Sequence, residues 1–220
     1  MAFEYCCFIS YSHNPGDLSN RFVKDLHDTL NSEIGALTRE IKICCVDWDR
    51  LKGGDFYNKR LSRAICKSAC MIMVYTPTYF DKEHTYCARE FKAMEKIESR
   101  RLRLLGDLSN DRGLIIPIIY RGDKFLHPYI KDKRNCYNFS GYIPGKNGEN
   151  SLQTHPTYAL QIREIADYVN DRYLQLKEIW DMSTNCRNFR FPSEKDAQDL
   201  ITRVCIVNKT MPFPGRGNQV

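Results

Sequence analysis

With 220 residues, the chain is long enough for one well-buried domain with an appendage and short for two full domains. An apolar fraction of 42% and a charged fraction of 27% are ordinary for a soluble globular protein, and no run reaches the roughly 18 apolar residues of a membrane-spanning helix. The formal charge of +6 is spread along the chain, which marks a solvated surface more than a nucleic-acid footprint, yet still attracts anions such as dinucleotides.

The start, Met1-Ala2-Phe3-Glu4-Tyr5, lacks the basic-then-apolar layout of a secretion signal, so a cytoplasmic location away from membranes is expected. Of the ten cysteines, Cys6, Cys7, Cys44, Cys45 and Cys70 sit in or beside apolar runs, where free cysteine behaves as a small buried hydrophobe. No CxxC pair occurs. Cys66 and Cys70 have no second pair or nearby histidine to complete a zinc set. Buried thiols and no metal site are expected.

Apolar runs alternate with helical patterns, the signature of βαβ units and a parallel sheet. Tyr5 to Tyr11 is a first strand, ended by the loop Ser12 to Asp17. Leu18, Phe22, Leu26 and Leu30 recur at helical spacing. Ile41 to Val46 is the second strand, followed by the long loop Asp47-Trp48-Asp49-Arg50-Leu51-Lys52-Gly53-Gly54. Asp55 can cap a helix to about Lys67, with Phe56, Leu61 and Ile65 toward its inner side. Cys70 to Tyr75 is a third strand, apolar throughout as expected where helices cover both sheet faces.

A helix from about Thr85 to Arg103 follows the Pro77 loop. Leu114 to Ile119 is a fourth buried strand, in which Pro117 predicts a bulge or a local edge. Cys136 to Phe139 reads as a short edge strand. Pro156 in a first turn opens a long helix with the apolar set Tyr158, Ile162, Ile165, Val169, Tyr173 and Leu176. Residues 1–180 thus form the domain and 181–220 a C-terminal extension. In the extension, a capping box of Ser193 and Asp196 predicts a helix over about 193–204, ahead of a flexible tail. The fold class is α/β: a doubly wound, five-stranded parallel sheet with a C-terminal helical extension. Ligands of such sheets gather beyond the strands' carboxyl ends near the switch point.

Three segments there carry candidate chemistry. Ser12 and His13 open a loop ahead of a helix N-terminus, either an anion site or an ordinary βα turn. The Asp47–Gly54 loop is either functional or a surface lid packing its own Trp48. Tyr86 and Glu90, at i and i+4, face one way on their helix, with Glu90 in or near the first turn where the dipole favours a carboxylate. That dipole alone also explains Glu90 without any function.

Phe8-Ile9-Ser10-Tyr11-Ser12, then Asp47 with Leu51 and Gly53-Gly54, then Tyr75-Thr76-Pro77 through Tyr79, then Tyr86-Cys87-x-x-Glu90-Phe91, resemble the successive boxes of TIR (Toll/interleukin-1 receptor-like) domains in order and spacing. The resemblance covers about the first 140 residues and implies the flavodoxin-like sheet. Some members of that family only associate; others break the nicotinamide–ribose bond of NAD. The resemblance implies that Glu90 is the catalytic residue and Tyr86 its aromatic companion, where most relatives have tryptophan. It also implies that Phe56 lines the NAD pocket and that Ser12 and His13 approach the substrate, although some relatives have arginine there.

The implied activity is that of a prokaryotic NAD glycohydrolase or ADP-ribosyl cyclase, with NAD as substrate and no cofactor or metal. The product would be ADP-ribose or a cyclic or derivatised form of it. The resemblance further implies self-association into an oligomer or filament, with Asp47, Trp48, Leu51, Gly53 and Gly54 completing a neighbour's pocket. It also implies a role in anti-phage defence through a separate effector that senses the product. The alternative is a non-catalytic interaction module. A flavin- or phosphate-binding member of the same sheet class is disfavoured, because Ser10 to Gly16 lacks a dense Ser/Thr run and Tyr11-Ser12-His13 supplies no acids for a phospho-receiver. Three roles stay open for the extension: covering a sheet edge, mediating assembly or docking a partner.

Overall fold

β1 (Tyr5–Tyr11), apolar but for Ser10, is buried along its whole length, as such a run requires of a strand covered on both faces. After it come α1 (Asp17–Leu37), β2 (Lys42–Val46), α2 (Tyr57–Cys66), β3 (Ser68–Tyr75) and α3 (Tyr86–Leu105). β4 (Ile115–Ile119), the one-turn α4 (Pro128–Lys131), β5 (Tyr137–Asn138) and α5 (Ala159–Ile179) complete the order. The computed structural model describes residues 3–13, 17–38, 42–46, 57–82, 85–106, 112–145, 150–179, 186 and 188–201. Asp47, Trp48, Leu51, Gly53, Gly54, Asp55 and Phe56 lie outside the described residues.

The strands form one parallel sheet in the order β2-β1-β3-β4-β5, the flavodoxin-like arrangement. The chain winds outward from β1 to β2 and then crosses back to β3, so its direction reverses between β1 and β3. β4 pairs with β3 along all five of its residues but with β5 only at Ile118 and Ile119. Pro117 therefore stands beside a locally open edge, as its missing N–H predicts.

Phe22, Leu26 and Leu30 of α1 are fully buried, with Val23 and Ile34 beside them, and the ring of Phe22 stacks on Tyr120 at 4.0 Å. Leu18, read as part of this apolar set, is exposed; it lies in the first turn, at the rim of the packed face. α5 starts at Ala159, later than Pro156 suggests. His155 caps the lead-in turn instead, its Nδ1 accepting the Thr157 N–H at 3.2 Å and its carbonyl accepting the Ala159 N–H at 3.0 Å. Among the described residues, no helix is long and apolar enough to cross a membrane.

Two features of the extension differ from the sequence reading. The capping box of Ser193 and Asp196 does form, with the Ser193 N–H donating to Asp196 Oδ2 at 2.8 Å. The helix expected over about 193–204 is instead a 3-10 turn at Lys195–Ala197, continued by turns to Leu200; residues 202–204 lie outside the described set. Its backbone bonds run mostly from i+3 to i, as Ala197 to Glu194 at 3.1 Å and Leu200 to Ala197 at 3.0 Å, while Ala197 and Leu200 bury against the domain. Second, Cys66 and Cys186 form a disulfide across 120 positions, where free thiols were expected. That separation hides the pair from any reading of local spacing. Cys6, Cys7, Cys70 and Cys87 are buried thiols outside any disulfide, and burial pushes the Cys6 and Cys70 thiols up so far that they stay protonated.

α4 is capped by His127, whose Nδ1 accepts the Tyr129 N–H at 3.2 Å. That bond needs the neutral ring. Burial holds the His127 pKa below its ordinary 6.5, outweighing the attraction of Asp199. The folded protein thus binds this proton more weakly than the unfolded chain. Stability should be fully present above pH 6.5 and decline as pH falls through the folded value. Urea midpoints between pH 7.5 and 5.5 check this: His127→Asn, which keeps a cap acceptor, should flatten the slope. An unchanged slope would assign it elsewhere.

Candidate functional site

The site is built where β1 and β3 end and α3 begins, at the switch point of the sheet. α3 turns Cys87, Ala88, Glu90, Phe91 and Met94 into the interior. Glu90 is only 4% exposed, and a buried carboxylate is costly unless hydrogen-bonded. Ser10 Oγ donates to Glu90 Oε2 at 2.5 Å and lies 2.6 Å from Tyr79 Oη. Ser10 has a single proton, so once it donates to Glu90 the Tyr79 hydroxyl must donate to Ser10. Burial, reinforced by Cys87 and Glu90, pushes the Tyr79 phenol well above its ordinary range, so it remains a donor.

Glu90 is at the start of the second turn of α3, just past the first turn in or near which the sequence placed it. The helix dipole has little hold there, and the Tyr79–Ser10 relay helps to secure the carboxylate. Tyr86 sits one turn earlier and is 42% exposed. The two side chains share a helix stripe but differ in depth, the phenol at the rim and the carboxylate inside. Tyr57, at the start of α2, meets the Tyr86 ring edge-on at 5.0 Å, directly after the position where Phe56 was expected to serve.

Ser12 is buried at the end of β1, where Thr78 Oγ1 donates to its hydroxyl at 3.1 Å. Thr78 also lies 3.1 Å from Thr76 Oγ1, and the Tyr79 N–H closes the turn onto the Thr76 carbonyl at 2.9 Å. One loop therefore carries both the Ser12 contacts and the relay to Glu90. His13 is exposed, its ring 4.3 Å from that of Tyr11 and its Nδ1 3.1 Å from the Tyr11 hydroxyl. Gly122 holds the loop from behind, at φ +77 and so close that a Cβ would lie 2.4 Å from Pro77 Cγ.

With this geometry in place, the sequence profile of the TIR domain matches residues 7–153. The chain belongs to the TIR family. No curated protein matches it. The matched span of the TIR domain takes in Ser10, Ser12, Tyr79, Tyr86 and Glu90, and ends before the disulfide-linked segment. Ser10 and Tyr79 were legible only as letters of TIR boxes, not as partners of Glu90. The signal for Ser10 was a hydroxyl inside an otherwise apolar buried strand, which needs a buried partner. No local signal pointed to Phe191, which packs beside Tyr86 from the extension.

Proposed function

We propose that this TIR domain cleaves NAD, releasing nicotinamide, with Glu90 as the catalytic carboxylate. The observation that carries the reading is a buried glutamate, oriented by a two-hydroxyl relay, at the β1–β3 switch point. Cleavage breaks the C1′–N bond, and the bonding pair leaves with nicotinamide, neutralising its pyridinium charge. No general acid is needed. The positive charge left on the ribose is what a fixed carboxylate stabilises, as in glycoside cleavage. Water then adds to C1′ and loses one proton, giving ADP-ribose; an adenine nitrogen or ribose hydroxyl of the same molecule gives a cyclic product instead. Tyr86 offers a flat face for a base at the rim, and Ser12 and His13 line the approach.

The rest of the proposal follows from the family resemblance. The chain acts in the cytoplasm, in anti-phage defence, by self-association that lets the 47–54 loop complete a neighbour's pocket, and a separate effector senses the product. The burial of Glu90 also suits the second reading, in which the carboxylate merely pins α3 to β1 and the protein acts by association alone. Incubation with NAD and chromatography of the products separates the two: nicotinamide should accumulate, and none at high protein concentration would leave the interaction module. Specific activity should rise with protein concentration. Strict proportionality of rate to concentration would remove self-association from the account.

A further inference from the structure

We propose that residues 188–201, fastened by the disulfide at Cys186, are a strap that positions the Tyr86 end of α3, with Phe191 and Arg89 as positioning residues for the site. This deepens the reading above and rests on it. The strap binds one stripe of α3, at Thr85, Arg89, Lys92 and Lys96. Thr85 Oγ1 donates to Glu194 at 3.0 Å, leaving α3 without a side-chain cap of its own. Arg89 Nε donates to the Pro192 carbonyl at 2.7 Å. Lys92 reaches Asp199 at 2.8 Å and Lys96 reaches Asp196 at 3.9 Å, while Leu200 is fully buried.

At the substrate end, the Phe191 ring lies nearly parallel to Tyr86, with centroids 6.5 Å apart. The Arg89 guanidinium sits against both rings, at 4.9 Å from Tyr86 and 4.6 Å from Phe191. Tyr57 also meets Tyr86 edge-on, so three side chains hold a part-exposed ring. The disulfide ties the strap to the far end of α2, the same helix that carries Tyr57. Reduction by a dithiol breaks the S–S bond and leaves two thiols, the dithiol closing to its own disulfide. The strap then keeps its Arg89–Phe191 packing and Leu200, but its exposed ion pairs are weak and salt-screened, so it lifts more often.

The oxidised full chain, its reduced form, and the variants Phe191→Ala, Phe191→Tyr and Cys186→Ser provide the test. Loss of one stacked ring should raise KM for NAD by about five-fold with a smaller change in kcat, and Phe191→Tyr should restore it. Cys186→Ser should match the dithiol-reduced wild type, and in both hydrogen exchange at residues 89–96 should quicken. Unchanged KM in Phe191→Ala and Cys186→Ser, with an active wild type, overturns the strap. So does unchanged exchange on reduction, even in a protein that cleaves no NAD; an inert wild type whose exchange does quicken overturns only the enzymatic reading.

Discussion

Replacing Glu90 by glutamine should cut nicotinamide release by at least about 100-fold while costing no more than about 1–2 kcal/mol of stability. The amide oxygen can still accept the Ser10 hydrogen that Glu90 Oε2 accepts at 2.5 Å, so α3 stays pinned to β1. What disappears is the negative charge that the proposed cleavage sets against the developing cation. Glu90→Ala is the poorer test, because it strands Ser10 and opens a cavity, mixing folding with chemistry. Ser10→Ala supplies the contrast. It leaves the charge but removes the donor to Glu90 and the acceptor for Tyr79, so the carboxylate loses its fixed orientation and kcat should fall about ten-fold. Turnover by high-performance chromatography and urea midpoints, measured on the same preparations, check both. A Glu90→Gln protein that turns over NAD at the wild-type rate would end the catalytic assignment.

The sheet was readable because its signal is repeated and local. Runs such as Cys70 to Tyr75 are apolar throughout, and only a strand covered on both faces demands that. Even the proline in β4 carried information, since a residue without an N–H fits a locally unpaired edge. The site was half-readable. Tyr86 and Glu90 could be placed on one helix by spacing, but depth is decided by the sheet beneath, and no spacing rule says that Glu90 meets Ser10 across 80 positions. The same holds for Cys66 with Cys186 and for Arg89 with Pro192, where the partners are brought together by the route of the extension. The extension misled for a further reason. Ser193 and Asp196 form the reciprocal bonds of a helix start, but side-chain burial at Ala197 and Leu200, together with the polar links to α3, sets the backbone path beyond them.

The largest stability effect is expected at Glu98, which lies outside the proposed site. Its Oε1 accepts the backbone N–H groups of Leu114 at 2.5 Å and Ile115 at 3.1 Å, holding the entry to β4. Its Oε2 meets Arg134 at 2.5 Å, with side-chain exposures of 7% and 14%. Glu98→Ala therefore orphans two backbone donors and leaves a buried guanidinium without its counter-charge, at a cost of about 3–5 kcal/mol. Glu98→Gln should cost less, because its carbonyl oxygen can still accept both N–H groups. Adding Arg134→Met to Glu98→Leu should recover the charge-burial part only, since Leu114 and Ile115 remain unsatisfied. Gly113→Ala attacks the same pair from the side: a Cβ there would lie 2.5 Å from Glu98 Oε1 and 2.9 Å from Arg134 Nη1. Denaturation midpoints of the five variants give the ranking, and a loss below about 1 kcal/mol for Glu98→Ala would mean that water reaches the pair and screens it like a surface bridge.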